Sequence, residues 1–194
     1  MTELDHIQLP STLRALTERS EALDFPMASE PKTGALLRTL AASKPNAKLL
    51  EIGTGTGIAT AWLLDGMDAG STLTTVDTDV EVQQVARDIL GRDPRLHFVL
   101  EDALAFLRRE PAETYDIVFA DAMPGKYEGL DDALRVVRPG GFYIIDDLLP
   151  QQNWPEGHAA KVPVLLQRLA ADPSLIIVPL AWASGIVIAV KHSR

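Results

Sequence analysis

Residues 48–58 read K-L-L-E-I-G-T-G-T-G-I. Leu49, Leu50 and Ile52 make the short apolar run of a buried parallel strand. Gly53, Gly55 and Gly57 follow at alternate positions, and Ile58–Leu64 then opens an apolar helix. Strand, glycine turn and helix form the cradle that α/β folds use for phosphates or nucleotides. Glycine suits the turn because the backbone must bend tightly and let a ligand approach closely. A plain strand–helix turn is the other reading of this stretch taken alone.

The spacing narrows the ligand. The dinucleotide fingerprint G-x-G-x-x-G requires glycine where Ile58 stands. Here the glycines are spaced G-x-G-x-G, with Glu51 two residues ahead of the first. That pattern resembles motif I of the S-adenosylmethionine-dependent methyltransferases. Asp77 ends the apolar strand Thr72–Val76 about 20 residues further on, where a carboxylate accepts from both ribose hydroxyls.

Composition bounds the rest. A chain of 194 residues favours one domain, and 46% apolar content fills a core. The net charge of −9, from 18 basic and 27 acidic residues without a basic cluster, argues against nucleic acid as a partner. The acidity itself is accounted for by solubility. No apolar run reaches about 18 residues and the N-terminus lacks the layout of a signal peptide, so a cytoplasmic protein without membrane attachment is expected. Zero cysteines exclude disulfides, thiolate catalysis and thiolate metal sites.

Along the chain, the pattern predicts an amphipathic helix over Pro10–Leu23 with Ser11 as cap, a loop over Phe25–Glu30 and a helix over Pro31–Ser43. Residues 1–47 thus form a helical cap on a core of residues 48–194. Strands are predicted at Lys48–Ile52, Thr72–Asp77, Leu96–Leu100, Tyr115–Ala120 and Phe142–Ile145. Helices alternate with them at Ile58–Leu64, Val80–Leu90, Ala103–Arg108 and Gly129–Val137, which implies a parallel, doubly wound sheet. Arg138-Pro139-Gly140-Gly141 reads as a helix stop and turn. Leu175–Leu180 and Ile186–Lys191, joined by Ala183-Ser184-Gly185, can pair only as an antiparallel hairpin.

From Phe25 onward the chain resembles the catechol O-methyltransferase-like family and its bacterial relatives, within the class I methyltransferases. The resemblance rests on Met27 and Gly34, on E-I-G-T-G-T-G at 51–57 and on V-D-T-D at 76–79. It continues through E-D-A at 101–103, D-I-V-F-A-D-A at 116–122, L-R-V-V-R-P-G-G at 134–141 and I-D-D at 145–147. It implies a mostly parallel seven-stranded sheet closed by an antiparallel hairpin, and an enzyme using S-adenosyl-L-methionine. By resemblance, Glu51, Gly53 and Gly57 line the methionine end of the cofactor, and Gly55 is a further cofactor-binding residue. Asp77 holds the ribose, Thr78 touches the adenine edge, and Asp102 and Ala103 flank the adenine. Asp102 is equally a natural helix cap, and Met27 either covers the transfer site or fills the core. The family's serine near the cofactor carboxylate is Ala59 here, so Thr60 or backbone amides take that contact.

The same resemblance implies a divalent cation, Mg²⁺ or Ca²⁺, held by Asp121, Asp146 and Asp147, with Asp121 also beside the cofactor and the chemistry. Hard cations take such oxygen ligands, and one would hold a catechol-like diol and acidify the reacting hydroxyl. Helix capping or pairing with Lys or Arg is the alternative for these acids. The family's catalytic lysine position is Pro124 here, which leaves Lys126 and His158 as candidate bases. Lys126 reaches the site only if the Pro124–Gly125 turn directs it inward; solvation is its ordinary fate. Trp154 and Trp182 are candidates to stack on a planar acceptor, or to pack. Relatives are often homodimers. An NAD(P)-dependent oxidoreductase and a non-catalytic cofactor-binding module are the competing readings.

Overall fold

The computed structural model describes residues 6–192. Two helices, α1 (Leu13–Ala22) and α2 (Pro31–Ala42), precede the first strand. The alternating body follows: β1 (Lys48–Ile52), α3 (Ile58–Gly66), β2 (Thr72–Asp77), α4 (Val80–Leu90), β3 (Leu96–Leu100), α5 (Ala103–Arg109) and β4 (Tyr115–Ala120). The chain ends with α6 (Met123–Lys126), α7 (Leu130–Val136), β5 (Val137–Ile145), α8 (His158–Ala171), β6 (Leu175–Leu180) and β7 (Ile186–Lys191). The seven strands lie in the order β3-β2-β1-β4-β5-β7-β6. Every pair up to β5 is parallel, and β7 runs antiparallel to both β5 and β6. This is the doubly wound sheet with a terminal hairpin that the alternation of apolar runs predicts.

The period of two in the strands divides the core. Leu49, Ile117, Phe119 and Ile144 face one side, where α1, α2, α3 and α4 add Leu16, Leu37, Trp62 and Val85. Leu50, Ile52, Val118, Ala120 and Ile145 face the other, against Phe106, Val136 and Leu165 of α5, α7 and α8. Burying each large side chain contributes about 1.5–3 kcal/mol, so both layers of helices are held by the sheet they cover. The N-terminal helices share the first of these cores with β1 and α3. Among the described residues no helix is long and apolar enough to cross a membrane.

Three predicted elements are corrected. The first helix begins at Leu13, with Thr12 rather than Ser11 before it and no side-chain cap. The Arg138–Gly141 stretch is not a turn ahead of a strand but part of β5. There the register slips, with Val137 opposite Tyr115 and Phe142 opposite Ile117, so the extra residues bulge out and Gly140 takes a φ of 77°. Residues 146–174, which carry no predicted helix or strand, contain α8. Pro163 lies inside that helix, where a proline normally signals an end.

Gly34 of α2 explains how the cap docks. A Cβ built there would lie 2.3 Å from the indole of the fully buried Trp62 on α3. Replacing Gly34 with Ala should therefore cost about 1–3 kcal/mol through overpacking, despite alanine's better helix propensity. Denaturant unfolding checks this, and unchanged stability would contradict the packing described.

Candidate active site

The site lies at the carboxyl ends of β1, β2 and β4, where the strand order reverses, the usual ligand position in open α/β sheets. Gly53, Gly55 and Gly57 all have positive φ, at 97°, 52° and 91°. A Cβ at Gly53 would meet the Asp121 carbonyl at 3.0 Å, one at Gly55 the Phe25 ring at 3.3 Å, and one at Gly57 the Ala86 Cβ at 2.6 Å. The three glycines thus fit the loop against β4, the N-terminal segment and α4 in turn. The Gly53 amide donates to the Val76 carbonyl at 2.9 Å and the Gly55 amide to Asp77 Oδ2 at 2.9 Å.

Glu51 supports this loop from below. It is wholly buried, and its Oε2 accepts from Thr60 Oγ1 at 2.5 Å and Thr75 Oγ1 at 2.6 Å, while Oε1 has no partner. Burial pushes its pKa from 4.5 to about 8, against the two hydroxyl bonds that lower it. The side chain therefore holds its proton at neutral pH. Thr60, expected at the cofactor carboxylate, spends its hydroxyl on Glu51 instead. Glu51, Gly57 and Thr60 all lie beneath the cavity rather than on its wall.

Above the loop is a cavity of about 380 Å³ lined by Met27, Gly53, Gly55, Asp77, Thr78, Asp102, Ala103 and Asp121, among others. The structure brings these expected cofactor residues to one wall. Asp77 Oδ1 also accepts from the Asp79 amide at 3.0 Å, which leaves each carboxylate oxygen a lone pair for a ligand hydroxyl. Asp102 caps α5, accepting from the Ala105 amide at 2.9 Å, and still borders the cavity. Met27 is 64% exposed, so it is not core filler.

A second cavity, of about 360 Å³, shares Met27, Ser29, Asp121, Ala122 and Met123 with the first. It also reaches Lys126, Asp146, Asp147, Trp154, His158 and Ser184. Asp121 Oδ2 accepts from Ser29 Oγ at 3.0 Å. Asp146 Oδ1 accepts from Ser184 Oγ and from the Asp147 amide at 2.7 Å. Asp147 Oδ1 accepts from Trp154 Nε1 at 2.6 Å. Burial, then mutual repulsion, raises the Asp121 carboxyl above its ordinary range, and burial raises Asp146. Trp182 lies elsewhere, donating its Nε1 hydrogen to the Lys32 carbonyl at 2.9 Å.

The three acids expected to hold a divalent cation each accept a hydrogen bond from the protein. No group of three or more acidic, histidine or cysteine side chains among the described residues can hold one. Each expected ligand is turned onto a protein donor, and Lys126, 3% exposed, donates from Nζ to the Asp146 carbonyl at 3.0 Å. Two unit positive charges about 4 Å apart repel by about 4 kcal/mol at an effective dielectric near 20, and a divalent ion doubles that. The three expected ligands Asp121, Asp146 and Asp147 thus border one cavity together with the Lys126 ammonium.

His158 opens α8 behind Gly157. Its Nε2 lies 3.1 Å from Tyr127 Oη and 3.8 Å from Asp147 Oδ2, and its ring stacks on Trp154 at 4.3 Å. Burial holds its pKa below 6.5, so the ring is neutral near pH 7. Sequence reasoning missed Ser29, Tyr127 and Ser184. Their partners lie 92, 31 and 38 positions away, and no local pattern marks such contacts.

The profile of a methyltransferase domain matches residues 50–148, just over half of the chain, and the chain belongs to that family. A Mycolicibacterium vanbaalenii protein named provisionally as an O-methyltransferase is 35% identical over 133 residues. That match covers 66% of this chain and 59% of the relative, so the aligned region spans less than two thirds of that protein. An O-methyltransferase from Bacillus cereus, solved in complex with SAH, superposes with a TM-score of 0.83 at 24% identity, covering 97% of this chain and 94% of that one. TomG from Streptomyces achromogenes, an O-methyltransferase of tomaymycin synthesis solved with SAM, gives 0.82 at 22%, covering 97% and 93%. At these identities the two structures establish the shared fold.

Glu51 makes stability fall with pH. Its folded pKa lies above the unfolded one, so the folded state binds the extra proton between about pH 4.5 and about 8. The stability this contributes is fully present below that window and lost through it, on the order of a few kcal/mol at about 1.4 per pH unit. Glu51→Gln should flatten the decline between roughly pH 5 and pH 8 in denaturant unfolding. Equal pH slopes for the two proteins would contradict a protonated Glu51.

Proposed function

We propose that this chain catalyses methyl transfer from S-adenosylmethionine to a hydroxyl oxygen of a small acceptor. The observation that carries the reading is the common wall of the two cavities at Met27, Ser29, Asp121, Ala122 and Met123. Cofactor and acceptor, one in each cavity, would meet at that wall. Membership of a methyltransferase family supports it, as do the names of the relatives.

The residues present fit the cofactor. Gly53 and Gly55 bring backbone to its cavity without side chains, Asp77 offers free lone pairs to a ribose, and Asp102 and Ala103 border the remaining wall. When bound, the cofactor supplies an electrophilic sulfonium methyl group, which an oxygen takes in line while the carbon–sulfur pair returns to sulfur. The protein's part is positioning and removal of the acceptor's proton. Of the two candidate bases, His158 suits the second task, because it is neutral and borders the acceptor cavity. Tyr127 Oη at 3.1 Å from Nε2 and the stacked Trp154 ring hold its orientation. Trp154, stacked on His158, presents an aromatic surface to a planar acceptor. The acceptor is a hydroxyl-bearing molecule, of which a catechol is one case.

Calorimetry should find S-adenosylmethionine binding and no NAD binding. Asp77→Ala should weaken it by about 1–3 kcal/mol. NAD binding without S-adenosylmethionine binding would contradict the reading. His158→Ala should lower turnover about 10²- to 10⁴-fold with cofactor affinity unchanged. The acid limb of the wild-type profile should fall below the ordinary histidine pKa of 6.5, because protonation removes the base. Full turnover in the variant would remove His158 from the mechanism.

A further inference from the structure

Lys126 is the buried charge that neither the fold nor the proton-transfer role explains. It is 3% exposed, although its sequence neighbourhood reads as a solvated turn. The cause is a backbone kink. Pro124 is extended at ψ 143°, Gly125 reverses the chain at φ 85°, and the following residue is thrown inward. The kink is locked, because the Gly125 amide donates to the Glu128 carbonyl at 2.7 Å and the Gly125 carbonyl accepts from Tyr143 Oη. A Cβ on Gly125 would meet Ile52 Cδ1 at 2.9 Å, and its φ of 85° strains any side-chain-bearing residue, so glycine is favoured there.

The ammonium thus fixed borders the acceptor cavity beside Asp121 and Asp146. Its charge favours the ionised form of both carboxylates. One N–H is spent on the Asp146 carbonyl at 3.0 Å, and an ammonium has three. A buried ammonium is costly without opposite charge nearby, and Asp121 and Asp146 supply that charge without a direct ion pair to it. The three carboxylates meanwhile accept from Ser29, Ser184 and Trp154.

We propose that Lys126 is the built-in cation of the acceptor pocket, holding the acceptor's oxygen as an oxyanion in the role that a divalent ion would otherwise fill. This rests on the methyl-transfer reading above and deepens it. The acceptor class it names is a phenol or other acidic hydroxyl, whose anion one ammonium can hold. Lys126 in this role holds the oxygen by charge, and proton removal falls to another group.

Two probes test this without knowledge of the natural acceptor, both with S-adenosylhomocysteine bound. In a Mn²⁺ titration followed by electron paramagnetic resonance, the wild type and Lys126→Arg should show no saturable site. Lys126→Met, which uncovers the acids, should gain one. In the second, 4-nitrophenolate should bind the wild type at least tenfold more tightly than its neutral methyl ether, a preference that Lys126→Met should lose and Lys126→Arg keep. A saturable Mn²⁺ site in the wild type that Asp121→Asn abolishes would overturn the proposal, and so would equal wild-type affinity for phenolate and ether. Both failure tests use the wild type and stand even if Lys126→Met does not fold. If S-adenosylhomocysteine binds and these results fail, only the role of Lys126 falls. If it does not bind, the methyl-transfer reading falls as well.

Discussion

The Gly55 amide gives its hydrogen to Asp77 Oδ2, and that one bond ties the end of β1 to the end of β2. It forms only because the backbone from Gly53 to Gly57 runs through three positive-φ positions, a conformation that costs side-chain-bearing residues about 1–2 kcal/mol each. The loop so held carries much else. Phe25 packs over Gly55, Ser20 of α1 donates to Thr56 Oγ1 at 2.6 Å, and Gly57 starts α3 against Ala86. The N-terminal helices, the sheet and the wall of the first cavity are therefore set by one turn. Glu51 below it keeps its proton because burial penalises a charge there more than two threonine hydroxyls favour it.

The second cavity follows a different logic. Its floor holds three carboxylates and one ammonium, and each carboxylate has a protein donor. The hairpin tip makes part of this arrangement. The Leu148 and Leu149 amides donate to the Gly185 and Ser184 carbonyls, which brings Ser184 to Asp146. At Gly185 a Cβ would sit 2.5 Å from the Leu149 nitrogen, so the antiparallel end of the sheet and the second cavity depend on the same glycine. The terminal hairpin thus shapes the site as well as closing the sheet.

The strands and the glycine turn were legible because their signals are local. Apolar alternation, G-x-G-x-G and Asp77 each lie within a few residues of what they determine. The start of β5 was not legible, because Pro139 and two glycines ordinarily end structure, and here pairing with β4 on both flanks overrides them. Helix α8 was hidden by Pro163 in the same way. Within the site, Asp77, Asp102 and Asp121 could be placed on the cavity from spacing and resemblance, whereas Thr60 and Glu51 could not. Strand periodicity puts Glu51 on the face of Leu49, toward α3, but only packing shows that Thr60 meets it there. Lys126 depended on whether Pro124–Gly125 turned inward, and Ile52 and Tyr143, distant in sequence, decide that.

The central claim is that the glycine turn seats a nucleoside sulfur cofactor whose reactive end faces the lysine-floored cavity. A crystal structure with S-adenosylhomocysteine tests it most directly. The account predicts ribose density against Asp77, the adenine beside Asp102 and Ala103, and the sulfur directed at the wall shared by Met27 and Asp121. Ligand density that leaves Asp77 without a contact, or that turns the sulfur away from Asp121 and Lys126, would contradict it.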